Sequence, residues 1–327
     1  MMKAIQVIGY GDAVENLEVR DVPEPAAPGA GEALVGVEYA PINFNDLMVP
    51  WGVYLWKPEP PATIGNEGAG MVLAVGEGVT AVKPGDRVVL PPTVKSFQQR
   101  LLVPAEQLVV VPSDADPKQA SMLAINPVTA ALLLSEYVDL KPGDAVSFNS
   151  ATSGLSQWLI TLSKKKGLKT IGLVRRAEDV EIVKSRGCDH VIVDNEDIAM
   201  AKERLQGLNV RLALDVLGGP AAGRLLQTLS PKGKLVVYGA VTLKPMELSA
   251  GVLIGGGLTV EGFFEHSEKM IPKINSTLRQ VAGMISGPDA ILQPIAATYP
   301  IERIKEAVAH AVQGKKVILD IGGAVPR

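Results

Sequence analysis

Two patterns of apolar and polar positions follow one another along the chain. Over residues 1–115, short apolar runs alternate with polar positions and are separated by Pro/Gly turns such as 83–86. This is the pattern of half-buried antiparallel strands. We predict strands at 32–40, 68–76 and 86–90. This part of the chain therefore favours a small β-rich domain.

From about residue 117 onward, the apolar positions take on helical spacing, in segments that alternate with short apolar strands. The predicted helices are 117–140, 153–167, 177–187, 197–206 and 220–229. The predicted strands are 145–150, 169–174, 190–194, 210–218, 233–240 and 258–264. Strands that alternate with helices form βαβ units and a parallel sheet, so the fold class is α/β. Six such strands are enough for the doubly wound Rossmann sheet that binds dinucleotides.

The last part of the chain is too short for a third domain. It contains two predicted helices, 268–285 and 301–313, and a terminal strand, 315–323. We expect these elements to return to the β-rich domain, which makes that domain discontinuous. The predicted domains are therefore 1–121 with 266–327 for the β-rich part, and 122–265 for the cofactor-binding part.

Composition and charge limit the class of partner. The 327 residues include 32 basic and 35 acidic side chains with a net charge of −3 and no basic block, so we expect a small-molecule partner, no nucleic acid and no membrane. The single cysteine, Cys188, excludes a disulfide within the chain, and the three histidines lack metal-ligand spacing. Because the amino terminus carries no long apolar segment, we expect a cytoplasmic location.

The turn after the first Rossmann strand, 149–157, has the sequence N-S-A-T-S-G-L-S-Q. A pyrophosphate needs small residues there, because backbone N–H groups and the amino terminus of the following helix must approach it closely. The glycine pattern is degenerate, with Ala151, Gly154 and Ser156 near the expected positions. The position of this turn, between a strand and a helix at the start of the alternation, favours a dinucleotide site over an empty tight turn.

The end of the second Rossmann strand distinguishes NAD from NADP. An acid there binds the ribose 2′-hydroxyl of NAD, whereas a 2′-phosphate needs positive charge. The sequence has Arg175 and Arg176 and no acid at the strand end. The alternative is a pair of solvated arginines compensated by Glu178 and Asp179. The two guanidinium groups favour NADPH as the cofactor.

Six short segments carry a resemblance to a known superfamily. They are 40–46, 52–54, 61–70, 124–130, 149–157 and 237–240. On these segments the chain resembles the zinc-free medium-chain dehydrogenase/reductases over essentially its whole length. It is most similar to the NADPH-dependent 2-enoyl thioester reductases, with the quinone oxidoreductases next. The resemblance implies a Rossmann doubly wound parallel sheet, a discontinuous β-rich GroES-like catalytic domain, and a homodimer formed through the last Rossmann strand.

The resemblance also implies that the site contains no metal. Zinc-using members of the superfamily carry an early cysteine, a Gly-His-Glu and a four-cysteine lobe. The corresponding stretches here are Asn45-Asp46, Gly65-Asn66-Glu67 and the compact segment 86–100, which has no cysteine. Without those ligands, zinc cannot polarise a carbonyl group, and alcohol dehydrogenase chemistry is not expected.

Particular site residues follow from the resemblance. Tyr54 matches the tyrosine that acts on the substrate in the enoyl reductases. The positions that match cofactor-binding residues are Asn43, Asn126, Thr129, Thr152, Ser153, Gly154, Leu155, Arg175, Arg176, Tyr238, Gly239, Ala240, Val241, Phe263, Phe264, Glu265 and Lys316. Aromatic residues around Tyr54 and one amide complete the predicted substrate pocket, which consists of Asn45, Trp51, Trp56 and Phe97.

The predicted activity is NADPH-dependent reduction of an activated C=C bond, with a trans-2-enoyl thioester as the substrate. Hydride addition at the β-carbon leaves an enolate, and Tyr54 is expected to stabilise its oxygen or to supply a proton. A phenol with a reference pKa near 10 is protonated at neutral pH, as an acid must be. Two alternatives remain: a quinone or small-enone oxidoreductase, and a non-catalytic NADPH-binding protein.

Overall fold

The computed structural model describes residues 1–194 and 203–324. The chain divides into two compact units, Met1–Val128 with Ile274–Arg327, and Thr129–Lys273. The predicted helix 197–206 lies largely outside the described residues. The domain boundaries expected from the sequence, at 121/122 and 265/266, stay predictions.

The strands are numbered in chain order. They are β1 (Met2–Val7), β2 (Leu17–Val22), β3 (Glu32–Ile42), β4 (Ala62–Thr63), β5 (Ala69–Val75), β6 (Arg87–Val89), β7 (Arg100–Pro104), β8 (Val109–Val110), β9 (Asp144–Phe148), β10 (Lys169–Val174), β11 (His190–Val193), β12 (Asn209–Asp215), β13 (Lys234–Val237), β14 (Thr259–Gly262), β15 (Ala297–Pro300) and β16 (Val317–Asp320).

The α-helices are shorter than many of the sequence predictions. They are α1 (Phe44–Met48), α2 (Pro117–Ala120), α3 (Asn126–Leu133), α4 (Gly154–Lys165), α5 (Val180–Ser185), α6 (Gly219–Leu226), α7 (Ala250–Gly256), α8 (Ile271–Ala282) and α9 (Ile304–Ala311). Within the described ranges, none of these helices has the length and apolar character needed to cross a bilayer.

The first unit is β-rich. It contains a three-stranded sheet of order β2-β1-β4 and a larger sheet of order β15-β16-β3-β5-β6-β8, with β7 also paired to β3. The carboxy-terminal strand β16 runs antiparallel to β3 in the register Val317↔Ile42. The end of the chain thus returns to the amino-terminal sheet, as the sequence predicts. Apolar side chains from the strands and α9 form the core of this unit.

The second unit is a parallel α/β sheet. Its strand order is β11-β10-β9-β12-β13-β14, which is the doubly wound order 3-2-1-4-5-6. Neighbouring strands in this sheet are parallel, because helices cross over between them. The buried faces of these strands contribute a separate apolar core. The predicted fold class, a Rossmann sheet with a discontinuous β-rich domain, is confirmed.

One local prediction is wrong, and one helix was not predicted. The single helix expected over 117–140 is two short helices, α2 and α3. Pro127 lies in the first turn of α3, where its missing N–H needs no partner; inside one continuous helix over 117–140 it would lose a hydrogen bond and its ring would clash with the Leu123 carbonyl. The helix α7 was not expected, since four glycines interrupt the apolar segment 250–260. Caps define it instead: the Ser249 side chain accepts from the Val252 N–H, and Gly257 ends the helix at φ 56°.

Candidate active site

The carboxyl ends of the parallel strands in the second unit bring most of the predicted cofactor residues to one edge of the sheet. The turn after β9 carries Thr152 to Leu155, and β10 ends at Arg175 and Arg176. Residues 238–241 follow β13, and 263–265 follow β14. Because all of these strands are parallel neighbours, their carboxyl ends lie on the same side. Ligands of doubly wound sheets bind along this edge.

The turn between β9 and α4 has the local structure of an anion site. Ser153 caps α4, and its hydroxyl accepts a hydrogen bond from the Ser156 N–H at 3.2 Å. Buried Ser156 in turn donates its hydroxyl to the Ser150 carbonyl at 3.0 Å, which holds the turn closed. The other first-turn N–H groups of a 12-residue helix have no partner within the helix and suit an anion.

A buried amide–carboxylate pair joins two neighbouring strand ends at this edge of the sheet. Asn149, directly after β9, donates its side-chain N–H to Asp215 at 2.5 Å and accepts from the Val216 N–H at 3.0 Å. Asp215 also accepts from the Gly218 N–H at 3.0 Å. Burial raises the pKa of Asp215, while the bond from Asn149 lowers it. The pair locks the ends of β9 and β12 together beneath the turn.

The two arginines after β10 are not equivalent. Both are exposed. The Arg176 guanidinium pairs with Glu178 at 3.0 Å and with Asp179 at 2.9 Å. Within the described residues Arg175 makes no ion pair of this kind. The alternative of a compensated surface arginine therefore describes Arg176, and Arg175 is the better candidate for a phosphate.

The tips of β13 and β14 present mixed polar and aromatic groups. The Tyr238 N–H donates to the Asp215 carbonyl at 2.9 Å, and the Phe263 N–H to the Val237 carbonyl at 2.8 Å. Burial and the Asp215 carboxylate both raise the pKa of the Tyr238 phenol, so it is neutral at physiological pH. A Cβ at Gly239 would lie 2.6 Å from a methyl group of Val216, so the tight turn after β13 requires glycine.

The remaining tip residues line the same edge. Phe264 is 51% exposed and Val241 is 37% exposed, so both offer apolar surface. Ala240 is exposed and Glu265 is half-buried. Thr129, in α3, is buried in the same unit.

Tyr54 is anchored by the backbone of the first unit. The N–H groups of Val53 and Tyr54 both donate to the Met48 carbonyl at the end of α1, at 3.1 and 3.2 Å. Between them and the helix, Gly52 adopts φ 71°, a left-handed conformation that favours glycine. The half-buried Tyr54 ring packs against the core of this unit. Helix α1 and its tight turn therefore determine where the phenol lies.

A buried carboxylate holds α1 in place. Asp46 is 1% exposed and accepts three hydrogen bonds: from the Asn43 N–H at 2.8 Å, the Asn66 N–H at 3.0 Å and the Asn66 side-chain N–H at 2.7 Å. The first bond closes the amino-terminal turn of α1, and the other two join the helix to the segment after β4. Burial raises the pKa of Asp46 to about 7 despite these bonds.

Asn43 connects a second buried carboxylate to a lysine. Its side-chain N–H donates to Glu67 at 2.8 Å, and its side-chain oxygen accepts from the Lys316 ammonium at 2.6 Å. Glu67 is fully buried and also accepts from the Ile125 N–H at 3.0 Å. Burial raises the pKa of Glu67 and lowers that of Lys316, while their mutual attraction opposes both shifts. We call Asn43, Asp46, Asn66, Glu67 and Lys316 the buried polar cluster.

The predicted pocket residues divide into two groups. Trp51 and Trp56 are partly exposed near Tyr54, and Trp51 packs edge-on against Phe44 at 5.6 Å. The side-chain oxygen of Asn45 is buried and has no hydrogen-bond donor among the described residues, so it is an acceptor suited to a ligand.

Phe97 is 1% exposed within the core. Its prediction as a pocket wall is wrong, because the ring has no free surface. Asn126 begins α3 and is half-buried.

Comparison with known proteins identifies the family. Residues 29–113 match the model of the alcohol dehydrogenase GroES-like domain, and residues 154–281 match that of the zinc-binding dehydrogenases. A mitochondrial enoyl-[acyl-carrier-protein] reductase of Bos taurus is 33% identical over 285 residues, which cover 82% of this chain and 75% of that protein. The chain belongs to the enoyl thioester reductases of the medium-chain dehydrogenase/reductase superfamily.

Solved structures agree with this family. The structure of the Etr1p/NADP/crotonyl-CoA complex superposes with a TM-score of 0.86 at 22% identity, covering 98% of this chain and 99% of that chain. A structure from Bacillus thuringiensis, whose description suggests an NADPH:quinone reductase, gives a TM-score of 0.83 at 25% identity and covers 98% of both chains. The shared fold covers 98% of the chain, and the predicted superfamily is confirmed.

The name of one matching family model raises the question of zinc. The stretches that correspond to the zinc-ligand segments contribute Asp46, Asn66 and Glu67 to the buried polar cluster. Asp46 accepts from three N–H groups, and Glu67 accepts from an amide that also binds the Lys316 ammonium. Amide donors and an ammonium do not fit a zinc site, which needs thiolate, imidazole or carboxylate ligands. Within residues 1–194 and 203–324, no three His, Cys, Asp or Glu side chains are grouped to hold a metal ion.

Three features of the site were not expected from the sequence. Asp215 and its bond to Asn149 had only a weak signal, an acid at the end of an apolar strand. Arg186 donates to the Thr152 carbonyl at 2.7 Å and adds positive charge beside the turn between β9 and α4. Its position before Gly187 at the end of a helix carries no such signal. The pairing of Asn43 with Lys316 joins positions 273 residues apart.

Proposed function

We propose that this protein reduces the C=C bond of a trans-2-enoyl thioester with NADPH. The observation that carries the proposal is a phenol, Tyr54, anchored by its backbone to the end of α1, a helix whose first turn is held by amides, buried carboxylates and an ammonium group instead of metal ligands. The family to which the chain belongs includes enoyl-[acyl-carrier-protein] reductases. A neutral phenol suits a reaction in which negative charge develops on a thioester oxygen.

NADPH, when bound, supplies a hydride to the β-carbon of the substrate. We assign its pyrophosphate to the turn at 152–155 and the amino terminus of α4, and its 2′-phosphate to Arg175. The small, rigid turn fits this group, since buried Ser156 and the Ser153 cap leave N–H groups of α4 for an anion. Tyr238 to Val241 and Phe263 to Glu265 are assigned to the nicotinamide end, and Asn43, Asn126, Thr129 and Lys316 remain cofactor-binding proposals.

Tyr54 stabilises or neutralises the negative charge that develops on the substrate. Its hydroxyl donates a hydrogen bond to the enolate oxygen, or passes its proton to the α-carbon, and solvent restores it. Asn45, with its buried acceptor oxygen, orients a donor group of a bound ligand, and Trp51 and Trp56 provide apolar surface. The carbon that receives the hydride and the carbon that receives the proton are adjacent, so the double bond becomes a single bond.

A cofactor-consumption assay tests the proposed activity against its alternatives. The purified full chain is mixed with NADPH or NADH and with crotonyl-CoA, a small enone or a naphthoquinone. We expect NADPH oxidation with crotonyl-CoA at a kcat/KM well above that with the naphthoquinone. Faster turnover of the quinone would favour the oxidoreductase of the Bacillus thuringiensis type. NADPH binding without turnover of any acceptor would indicate a non-catalytic NADPH-binding protein.

The different surroundings of the two arginines predict different effects of their removal. Arg175→Ala is expected to raise the Kd of NADPH about tenfold, because a charge-assisted hydrogen bond to the 2′-phosphate is lost. Arg176→Ala should have a smaller effect, since Glu178 and Asp179 already bind that guanidinium. Fluorescence titration with NADPH and NADH measures both variants. Equal losses for NADPH and NADH would contradict the assignment of Arg175.

A homodimer through β14 is part of the proposal. This strand lies at the edge of the six-stranded sheet, and such edges are normally covered or paired. The adjacent helix α7 contains no buried residue, and Ile254 on it is 81% exposed. We expect sedimentation to give twice the mass of one chain. Ile254→Glu should yield monomers, whereas Ile182→Glu on α5 should not; a wild-type monomer would contradict this assembly.

We also place the protein in the cytoplasm. The name of the bovine relative assigns that protein to mitochondria, which is the alternative. Fractionation of the source cells with an antibody to the chain distinguishes the two locations.

A further inference from the structure

One cavity of the first unit contains a cation that the proposed reaction does not use. The cavity measures about 380 Å³, within the range of small-ligand sites. Its lining consists of Val49, Trp56, Ile64, Gly65, Asn66, Thr93 and Lys95. Lys95 is exposed and makes no ion pair within the described residues. Among the described residues no carboxylate lines the cavity; the buried Asp46 accepts a hydrogen bond from the Asn66 amide at 2.7 Å.

The loop that carries Lys95 is held in a strained shape. Thr93 and Lys95 both adopt φ 61°, a left-handed conformation that is unfavourable for residues other than glycine. Three backbone bonds keep the loop there: Thr93 N–H to the Asn66 carbonyl at 2.8 Å, Ser96 N–H to Gly65 at 3.1 Å, and Phe97 N–H to Ile64 at 3.0 Å. Strain held in this way on a cavity wall is typical of ligand sites.

Exposed apolar residues adjoin Trp56, which lines the same cavity. Trp56 is 44% exposed, and its neighbours Val53 and Leu55 are 43% and 86% exposed. A group of exposed apolar residues beside a concave site indicates contact with an apolar ligand. The cavity thus combines an apolar wall with one ammonium group. A ligand that matches the cavity chemically has an apolar stem that carries an anionic group.

We propose that this cavity binds an anionic part of the enoyl thioester substrate and that Lys95 is the residue that selects it. The inference rests on the proposed function. Two parts of such a substrate have this chemistry: an acyl tail that ends in a carboxylate, and a thiol carrier that bears phosphate. Both place an anion beyond an apolar or uncharged stem, and the Lys95 ammonium supplies the counter-charge.

Paired substrates test the selection. The first pair is the 2-octenoyl and 2-octenedioyl thioesters of N-acetylcysteamine, which differ only in a terminal carboxylate and carry no phosphate. The second pair is crotonyl-pantetheine and crotonyl-4′-phosphopantetheine, which differ only in the phosphate of the carrier. For each pair the ratio of kcat/KM is measured in wild type, Lys95→Gln, Lys95→Arg and Lys95→Gly. Lys83→Gln, which removes an exposed lysine that does not line the cavity, is the matched control.

We expect wild type to prefer the anionic member of one pair, and Lys95→Gln to reduce that preference about tenfold. Lys95→Arg should retain it, and Lys83→Gln should match wild type. Lys95→Gly removes the charge at a position where glycine relieves strain, so its loss of preference cannot be attributed to poor folding. The affected pair identifies the carboxylate or the phosphate as the anion.

Two results have separate meanings. If wild type reduces none of the four thioesters, the proposed function is wrong. If it reduces them and Lys95→Gln leaves both ratios unchanged, the activity stands and the selection by Lys95 is overturned.

Discussion

Tyr54→Phe is expected to lower kcat for an enoyl thioester about 100-fold, the scale of a lost general acid, while the Kd of NADPH stays the same. Phenylalanine keeps the ring that packs against the core of the first unit, and the bond from the residue 54 N–H to the Met48 carbonyl does not involve the side chain. The variant therefore removes the hydroxyl alone.

Stopped-flow measurement of NADPH oxidation and fluorescence titration of cofactor binding separate these two effects. Tyr299→Phe is the matched control, since that phenol contacts His310 at 3.2 Å and has no part in the proposed chemistry. Turnover equal to wild type in Tyr54→Phe would remove the phenol from the reaction.

Asp46→Asn is expected to change how stability depends on pH. Asp46 has a pKa of about 7 in the folded protein against 3.8 for the free side chain, chiefly because of burial. The folded state therefore binds more protons than the unfolded state between these values, and stability falls as pH rises through about 7. The shift corresponds to at most about 4 kcal/mol, at about 1.4 kcal/mol for each pH unit.

The asparagine side chain cannot ionise, so the variant does not lose stability in this way as the pH rises. It also loses part of the hydrogen bonding to Asn43 and Asn66, an effect that is the same at each pH. Urea unfolding at pH 5 and pH 8 measures the result. The stability of the variant relative to wild type should improve by a few kcal/mol between the two conditions. Asp139→Asn, at a side chain 83% exposed, is the control. A constant difference at both values would show that Asp46 keeps an ordinary pKa.

The sequence predicts the α/β unit best, because alternating strands and helices of ordinary length are a local signal. Predictions fail where a few residues override the pattern. Pro127 divides one predicted helix into two, and the Ser249 and Gly257 caps define α7 in a glycine-rich segment. Such boundaries depend on single bonds at the ends of an element, which periodicity does not report.

In the candidate site, too, the sequence predicts features that depend on local order and misses contacts between distant positions. The turn at 149–157 and the strand ends follow from local order, since parallel strands bring their carboxyl ends together. Phe97 was misplaced because the sequence does not show whether an aromatic side chain faces the core or a cleft. The buried polar cluster depends on contacts across long stretches of chain, such as Glu67 with Asn43, and single-sequence patterns carry no information about them.

The pairing of β16 with β3 has a consequence for synthesis. A ribosome makes the amino-terminal sheet first, but its inner strand lacks a neighbour until the last residues emerge. Lys316 reaches Asn43 across 273 positions, so the cluster beneath α1 stays incomplete for nearly all of translation. The central α/β unit, whose strand neighbours are all internal to it, can mature earlier. Nascent chains arrested before residue 317 should therefore expose β3 to chaperones.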